Sequence, residues 1–200
     1  IIPEVVHRYF AASLGLLAIA LVFIAFKEQK MKSESLALLL IIIGQGIFGY
    51  LTVSLKLHPL IVTSHLFGAM IVTSLFLVIF MKSLRVTNSY LILVRNRPYI
   101  IIGFALIIFQ IFLGAWTSTN YAARACLDLP YCQGQLIPNT NFEEGFNLFQ
   151  SIGPNYLYGQ MSNEARVAIH LTHRIGAIIV FFYSIFPVSY THLTLPTKPS

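Results

Sequence analysis

The chain has 200 residues, of which 56% are hydrophobic and 10% are charged, and its mean hydropathy is +0.75. Soluble domains usually carry about 25% charged residues, because their surface faces water, so this composition excludes an ordinary soluble globule. The net charge of +6 does not indicate a nucleic-acid partner, because the basic residues cluster between apolar runs, where they act as topology signals. The composition predicts an all-α integral membrane protein in contact with a lipid bilayer.

Five apolar stretches are long enough to cross a hydrocarbon core, which needs about 20 helical residues. They are Val5–Phe26, Glu34–Ser54, Leu60–Met81, Tyr99–Ser118 and Arg166–Phe186. Glycines within these stretches favour close packing of helices in lipid. The sequence therefore predicts a transmembrane helical bundle with five spans.

Lysines and arginines follow the first and third spans, within 27–33 and 82–98. The positive-inside rule places these segments in the cytoplasm or the mitochondrial matrix. The short turn at His58 and the long loop 119–165 then face outward. This topology indicates an inner membrane and fits both kinds, with the bacterial cytoplasmic membrane favoured over the mitochondrial inner membrane.

Both cysteines of the chain, Cys126 and Cys132, lie in the outer loop. On the oxidising side of a bacterial inner membrane, we expect a disulfide that closes a small loop. Two unpaired thiols are the alternative. A zinc site is disfavoured, because no second nearby pair supplies the remaining ligands.

The two ends of the chain suggest a fragment. It opens on Ile1-Ile2-Pro3-Glu4, with neither an initiator methionine nor a cleavable signal peptide. At the other end we expect Pro187 to break the last helix. The following residues, 188–200, form neither a basic stop nor another span, so we interpret them as a non-native tail and assign no role to His192.

Four of the six histidines lie in or at the predicted spans: His7, His65, His170 and His173. Ionisable residues within a membrane are costly and usually functional. His7, His65 and His173 each lie within about two turns of the outer end of a helix, which would bring three imidazoles to one level. Neutral imidazole is the usual axial ligand of haem iron, so we predict that these three bind it. Hydrogen bonding to a neighbouring helix is the alternative.

An arginine follows a candidate ligand twice, in His7-Arg8 and His173-Arg174. A guanidinium group matches a carboxylate bidentately. Arg8 and Arg174 are therefore candidate partners of haem propionates. Snorkelling to lipid headgroups is the alternative for each.

Glu4 lies one helical turn before His7, on the same helix face. The matching offset before His173 is occupied by His170. This difference would suit one reactive site and one electron-transfer site. Glu4 would then act in proton transfer or stabilise a developing cation, or would be a solvated carboxylate at a helix N-terminus.

Two spans share a pattern of polar and small residues. The segment Gln45-Gly-Ile-Phe-Gly-Tyr-Leu-Thr52 has glutamine, glycine and threonine at the same offsets as Gln110-Ile-Phe-Leu-Gly-Ala-Trp-Thr117. Internal repeats of this kind in membrane proteins indicate related helical bundles.

At these residues the chain resembles the haem A synthase family, membrane enzymes that oxidise a methyl group of haem O to the formyl group of haem A. The order and spacing of six segments, from residue 4 to about 180, carry the resemblance. They are Glu4-Val-Val-His7-Arg8, Gln45-Gly-Ile-Phe-Gly49, His58-Pro-Leu-Ile-Val-Thr-Ser-His65, Leu113-Gly-Ala-Trp-Thr117, Cys126-Leu-Asp-Leu-Pro-Tyr-Cys132-Gln-Gly134 and His170-Leu-Thr-His173-Arg174.

The resemblance implies a tandem architecture of two four-helix bundles. Residues 1–82 would be helices two to four of the first bundle, and 83–98 would be a linker in the cytoplasm or matrix. Residues 99–187 would be the first two helices of the second bundle, with the long outer loop between them. The remaining helices of both bundles would lie outside this chain.

The resemblance also implies roles for the candidate residues. His7 and His65 would bind the haem O substrate, with Glu4 as a catalytic group beside them. His173 would be one ligand of a haem B that passes electrons, with its partner ligand outside this chain. The two cysteines match the outer-loop cysteines of the second bundle. We expect the fragment alone to be inactive.

The function implied is that of a haem-dependent oxidoreductase for cytochrome oxidase biogenesis, with haem O synthase and an electron donor as expected partners. The principal alternative is a dihaem b-type membrane cytochrome that relays electrons without oxidising a substrate, and that needs no Glu4. A transporter or channel would have polar residues deeper in its spans, whose middles are nearly free of charge here. An assembly subunit whose histidines bind nothing would carry no haem.

Overall fold

The computed structural model describes residues 2–84 and 97–194. These residues form helices joined by turns and loops, and they contain no named strand. The α-helices, in chain order, are α1 (Ile2–Lys27), α2 (Lys32–Ser54), α3 (Pro59–Ser83), α4 (Arg97–Thr119), α5 (Phe142–Gly145) and α6 (Asn163–Thr194). A short 3-10 turn covers Ala122–Arg124. The predicted all-α class is thus confirmed for the described part of the chain.

The five long helices, α1 to α4 and α6, are each long and apolar enough to cross a membrane by length and composition. A helix of 23 residues, the length of α2 and α4, extends about 35 Å, which exceeds a hydrocarbon core of about 30 Å. Large apolar side chains cover their outer faces; Phe10 and Phe23 on α1 are 73% and 71% exposed. Surfaces of this kind suit lipid. The prediction of a five-span helical membrane protein is confirmed.

The predicted break at Pro187 is wrong. Helix α6 continues through this residue to Thr194. A proline removes one N–H group from the helical ladder, and membrane helices tolerate that loss where local adjustments satisfy the freed carbonyl. The expected non-native tail covers 188–200, of which residues 195–200 lie outside the described residues. The expected linker covers 83–98, of which residues 85–96 lie outside them as well.

The chain divides into two compact units. The first contains α1, α2 and most of α3, within residues 1–55 and 64–87. Its core is formed by Leu38, Val72 and Ile79, with partly buried aliphatic and aromatic side chains around them. Near the basic connections, Lys82 at the end of α3 pairs with Glu34 in the first turn of α2.

The second unit contains residues 56–63 and 88–200. Its core is centred on Trp116, which is fully buried at the end of α4 and contacts Ala122, Met161, Ala165 and Ile169. The predicted outer loop is folded over this core, since it includes the 3-10 turn, α5 and many internal hydrogen bonds. The loop therefore has a defined position relative to α4 and α6.

Candidate functional site

The first unit holds two of the candidate ligands, His7 on α1 and His65 on α3. Their imidazoles lie within electrostatic range of each other. His65 is half-buried, and its Nδ1 is buried with no hydrogen-bond partner among the described residues. Gly49 of α2 faces this ring: a Cβ at Gly49 would lie 3.5 Å from Cε1 of His65. That His7 and His65 bind one haem together stays a prediction.

Gln45 lies one turn before Gly49 on α2 and packs against Gly68 of α3. A methyl group at Gly68 would overlap the side-chain amide of Gln45. The Oε1 atom of Gln45 is buried and, within the described residues, has no hydrogen-bond partner. An unpaired amide oxygen and the unpaired Nδ1 of His65 thus lie on neighbouring helices, and unpaired buried polar atoms are uncommon in folded proteins.

Glu4 and Arg8, both predicted site residues, form an ion pair across one turn of α1. The distance from Arg8 Nη2 to Glu4 Oε1 is 2.7 Å, and the two side chains are 66% and 53% exposed. The guanidinium group predicted to bind a propionate therefore also contacts the candidate catalytic carboxylate. An exposed pair of this kind contributes little to stability, so either side chain can be recruited by a ligand at low cost.

In the second unit, Gln110 of α4 contacts His173 of α6. Its side-chain nitrogen lies 2.9 Å from Nδ1 of His173 and donates to the main-chain oxygen of the same residue at 3.0 Å. Gly114 faces the imidazole, with a Cβ there 3.3 Å from Cε1 of His173, and Gly176 faces the amide of Gln110. The glutamine, the histidine and the two glycines occupy the same relative positions as in the first unit, where Nδ1 of His65 has no partner among the described residues.

His170 and Arg174, which flank His173, hold the outer loop. Nδ1 of His170 lies 2.8 Å from the oxygen of Ala122. Arg174 donates from Nη1 to the oxygen of Tyr131 at 3.0 Å and from Nη2 to the oxygen of Cys126 at 2.7 Å. Arg174, the predicted propionate partner, therefore has two of its five N–H groups engaged by main-chain carbonyls.

The predicted disulfide between Cys126 and Cys132 is confirmed. Inside the loop that it closes, Asp128 accepts hydrogen bonds from the main-chain amides of Gly134 at 2.9 Å and Gln133 at 3.0 Å. These donors, Gly134 above all, hold the pKa of Asp128 below its usual value. The loop is thus closed both covalently and by hydrogen bonds.

His58, which the sequence predicts only to lie in a short turn, is buried against the outer loop. It is 5% exposed, its Nε2 lies 3.1 Å from the oxygen of Gln150, and its ring meets the edge of Tyr156 at 5.2 Å between centroids. Sequence reasoning also assigned no role to Gln45 or Gln110. The signal available for these two was an uncharged polar residue in the middle of an apolar span.

The donor set fits haem iron better than a bare metal ion. No group of three or more His, Cys, Asp or Glu residues in the described part of the chain could hold a metal ion. Haem iron needs only one or two axial ligands from the protein, because the porphyrin supplies the rest, and imidazole is a common one. The neighbouring imidazoles of His7 and His65, one with an unpaired Nδ1, meet that need.

The fold and these contacts define a multi-pass helical membrane protein in which each unit sets an imidazole against a glycine of the facing helix, four residues after a glutamine. The family model for the cytochrome oxidase assembly protein, COX15-CtaA, matches residues 1–197. The chain belongs to this family.

One curated relative is a protein of Shewanella oneidensis named heme A synthase. It is 38% identical over 179 residues, which cover 88% of this chain and 54% of the relative. The chain thus spans about half the length of the curated relative that it matches. No solved structure matches the chain.

Proposed function

We propose that this chain is the part of a haem A synthase that binds the substrate, in a protein that oxidises a methyl group of haem O to the formyl group of haem A for cytochrome oxidase biogenesis. Membership of the family and the name of the Shewanella relative support the proposal. The observation that carries it is the pair of neighbouring imidazoles in the first unit, His7 and His65, with a buried and unpaired Nδ1 on His65.

His7 and His65 would be the axial ligands of the haem O substrate. Their positions on α1 and α3 suit a flat macrocycle held between helices, and Gly49 leaves room beside the ring of His65. Fixing the iron in this way orients the reacting methyl group at the edge of the macrocycle. The protein's contribution is thus binding and orientation, while the bound iron supplies the redox chemistry.

Glu4 would handle protons at this edge. Converting a methyl group and one water molecule to a formyl group releases four electrons, which haem B would carry away, and four protons, so a carboxylate near the reacting edge would have a role as a base. Arg8 Nη2 lies 2.7 Å from Glu4 Oε1, so the carboxylate is held by this ion pair. A propionate that bound Arg8 would release the carboxylate from the pair.

In the second unit, His173 would hold the iron of haem B, which would pass electrons between the substrate site and a redox partner in the membrane. Arg174 would contact a propionate with the N–H groups that its loop contacts leave over. We place the protein in a bacterial cytoplasmic membrane, with the disulfide loop on the outer side, and we propose haem O synthase as a supplier of the substrate.

The test uses the intact gene, expressed in membranes supplied with haem O. The purified protein's pyridine haemochrome spectrum and chromatography of its extracted haems would show haem B and newly formed haem A. Glu4→Ala and His7→Ala are expected to abolish haem A and to leave haem B in place. Glu28→Ala, at an exposed glutamate just after α1, is the matched control and should retain activity.

Two results would overturn the proposal. Haem B alone, unchanged by Glu4→Ala, would indicate a dihaem cytochrome that relays electrons. Absence of any haem from the intact protein would indicate that the histidines serve only in helix packing.

A further inference from the structure

The two units contain the same four-residue arrangement on a pair of facing helices. In the first, Gln45 and Gly49 of α2 meet His65 and Gly68 of α3. In each unit the glutamine amide fills the space above a glycine three residues after the histidine. The second glycine, four residues after the glutamine, faces the imidazole, and a Cβ there would lie 3.3–3.5 Å from Cε1 of the ring. The corresponding four residues of the second unit are Gln110, Gly114, His173 and Gly176.

The two arrangements differ in one hydrogen bond. In the second unit the amide of Gln110 lies 2.9 Å from Nδ1 of His173 and also holds the main-chain oxygen of that residue at 3.0 Å. In the first unit the Nδ1 of His65 and the Oε1 of Gln45 are both buried, and the described residues provide no partner for either. The glutamine therefore contacts the imidazole nitrogen in the second unit, whereas Nδ1 of His65 has no such contact among the described residues of the first.

Iron coordination makes a specific demand on such a glutamine. When Nε2 of a neutral imidazole binds a metal, the proton is on Nδ1, and this N–H group is normally donated to a nearby acceptor that fixes the ring. Gln110 presents its nitrogen to Nδ1, while its Oε1 is buried and without a partner among the described residues. A half-turn of the amide would bring that oxygen to the N–H group of Nδ1, in exchange for the hydrogen bond that the amide now donates to the main-chain oxygen of His173.

We propose that Gln110 and Gln45 are unequal positioning residues for the imidazoles of His173 and His65. Gln110 holds its ring in place with or without iron, as suits a haem that stays bound. Gln45 engages its ring only when iron is bound, as suits a haem that enters as substrate and leaves as product. The assignment of resident and exchanging haem rests on the proposed function, whereas the contact of Gln110 with His173 does not.

The competing explanation is that each glutamine only fills space above a glycine. Electron paramagnetic resonance and the midpoint potential of haem B in the intact protein separate the two. Gln110→Leu removes the acceptor, weakens His173 as an electron donor to iron and should raise the midpoint potential. Gln110→Glu replaces the amide by a stronger acceptor and should lower it. A space-filling role predicts that both variants shift the potential in the same direction or leave it unchanged, and either result overturns the proposal.

The matched variant in the first unit is Gln45→Leu. It should leave the midpoint potential and the resonance spectrum of haem B unchanged, and it should weaken retention of added haem O by about 10–100-fold, the usual effect of losing a partner of a metal ligand. Unchanged retention of haem O, or a shifted spectrum of haem B, would contradict the assignment of Gln45.

A readout that needs no haem separates failure of this proposal from failure of the proposed function. In the intact protein produced without haem and labelled with ¹⁵N-histidine, His173 should show one tautomer, protonated at Nε2, and Gln110→Leu should give a mixture. His65 should show a mixture in both the parent and Gln45→Leu. If the parent binds no haem but His173 behaves in this way, only the proposed function fails. If His173 is a mixture in the parent, the positioning role of Gln110 fails.

Discussion

Nε1 of Trp116 donates a hydrogen bond of 2.8 Å to the main-chain oxygen of Gly145, 29 residues further along the chain. This contact joins the end of α4 to the short helix α5 in the outer loop. Gly145 in turn lies against α6, since a Cβ there would come within 2.8 Å of the oxygen of Ala165. The indole thus connects three elements of the second unit, and α6 is the one that carries His173.

Trp116→Phe is expected to lower the free energy of unfolding by about 1–3 kcal/mol, because it leaves a buried carbonyl without its donor while it retains most of the ring. Thermal unfolding of the purified protein in detergent measures the effect. Phe104→Leu, at a 65% exposed position on the same helix, is the control and should unfold near the parent temperature. The same unfolding temperature for Trp116→Phe and the parent would show that the hydrogen bond contributes nothing to stability.

The double variant Cys126→Ser with Cys132→Ser should destabilise the outer loop by about 2 kcal/mol, from the closure entropy of a loop this small. Both carbonyls bound by Arg174 lie in or at this loop, so they should lose their fixed positions. Trypsin cleavage at the exposed Arg124, just before the loop, should then be faster. Treating the parent protein with dithiothreitol should reproduce the rate, and unaltered cleavage in both cases would contradict the prediction.

The outer loop should also weaken in acid, because of Glu144. The hydroxyl of Ser162 at 2.5 Å and its main-chain amide at 2.8 Å hold the pKa of Glu144 below its usual value. A carboxylate whose pKa is lower in the folded state contributes stability above its unfolded pKa of about 4.3, and that stability is lost as the pH falls through the folded value. Hydrogen exchange of the loop amides, corrected for the intrinsic exchange rate at each pH, should therefore rise below about pH 4.

Glu144→Gln isolates this effect. It should raise hydrogen exchange of the loop at pH 7 and remove most of the further rise in acid. Glu143→Gln, at the neighbouring exposed residue, should keep the pH dependence of the parent. The same acid-induced rise in the Glu144→Gln protein would show that other groups are responsible.

Gly176→Ala should change the midpoint potential of haem B more than the free energy of unfolding. The added methyl group would overlap the amide of Gln110, which is the end of a flexible side chain and can move away, at the loss of its contact with His173. The midpoint potential of haem B should rise as in Gln110→Leu. Gly15→Ala, at a helix position with nothing within 4 Å, should leave the potential unchanged. A parent-like potential in Gly176→Ala would show that the amide does not need this space.

The elements that the sequence predicts well are those set by local chemistry. Apolar runs of about 20 residues, bounded by Lys27, Pro59 and Arg97, predict the long helices to within a few residues. The imidazoles were found because an ionisable side chain in an apolar run has few structural explanations. The pairing of Cys126 with Cys132 followed from compartment and spacing. Pro187 misled because a lipid environment tolerates a proline that would end many soluble helices.

The partners of these side chains were not predictable from their own segments. Arg174 contacts carbonyls 43 and 48 residues earlier in the chain, and Gln110 reaches an imidazole 63 residues later. Such contacts depend on which helix faces which, and a periodic pattern within one helix carries no information on that. The repeat shared by Gln45 and Gln110 marked the right residues, but only the facing helices showed what each one contacts.

The hydrogen bonds from Arg174 to the carbonyls of Tyr131 and Cys126 also constrain how the chain is inserted into the membrane. Both acceptors leave the ribosome before the helix that carries the guanidinium group. Arg174 can reach them only after α6 has been made and packed beside α4. A chain with α6 reversed would carry Arg174 away from its acceptors. The contact can therefore form only in chains whose last described span begins on the same side as the disulfide loop.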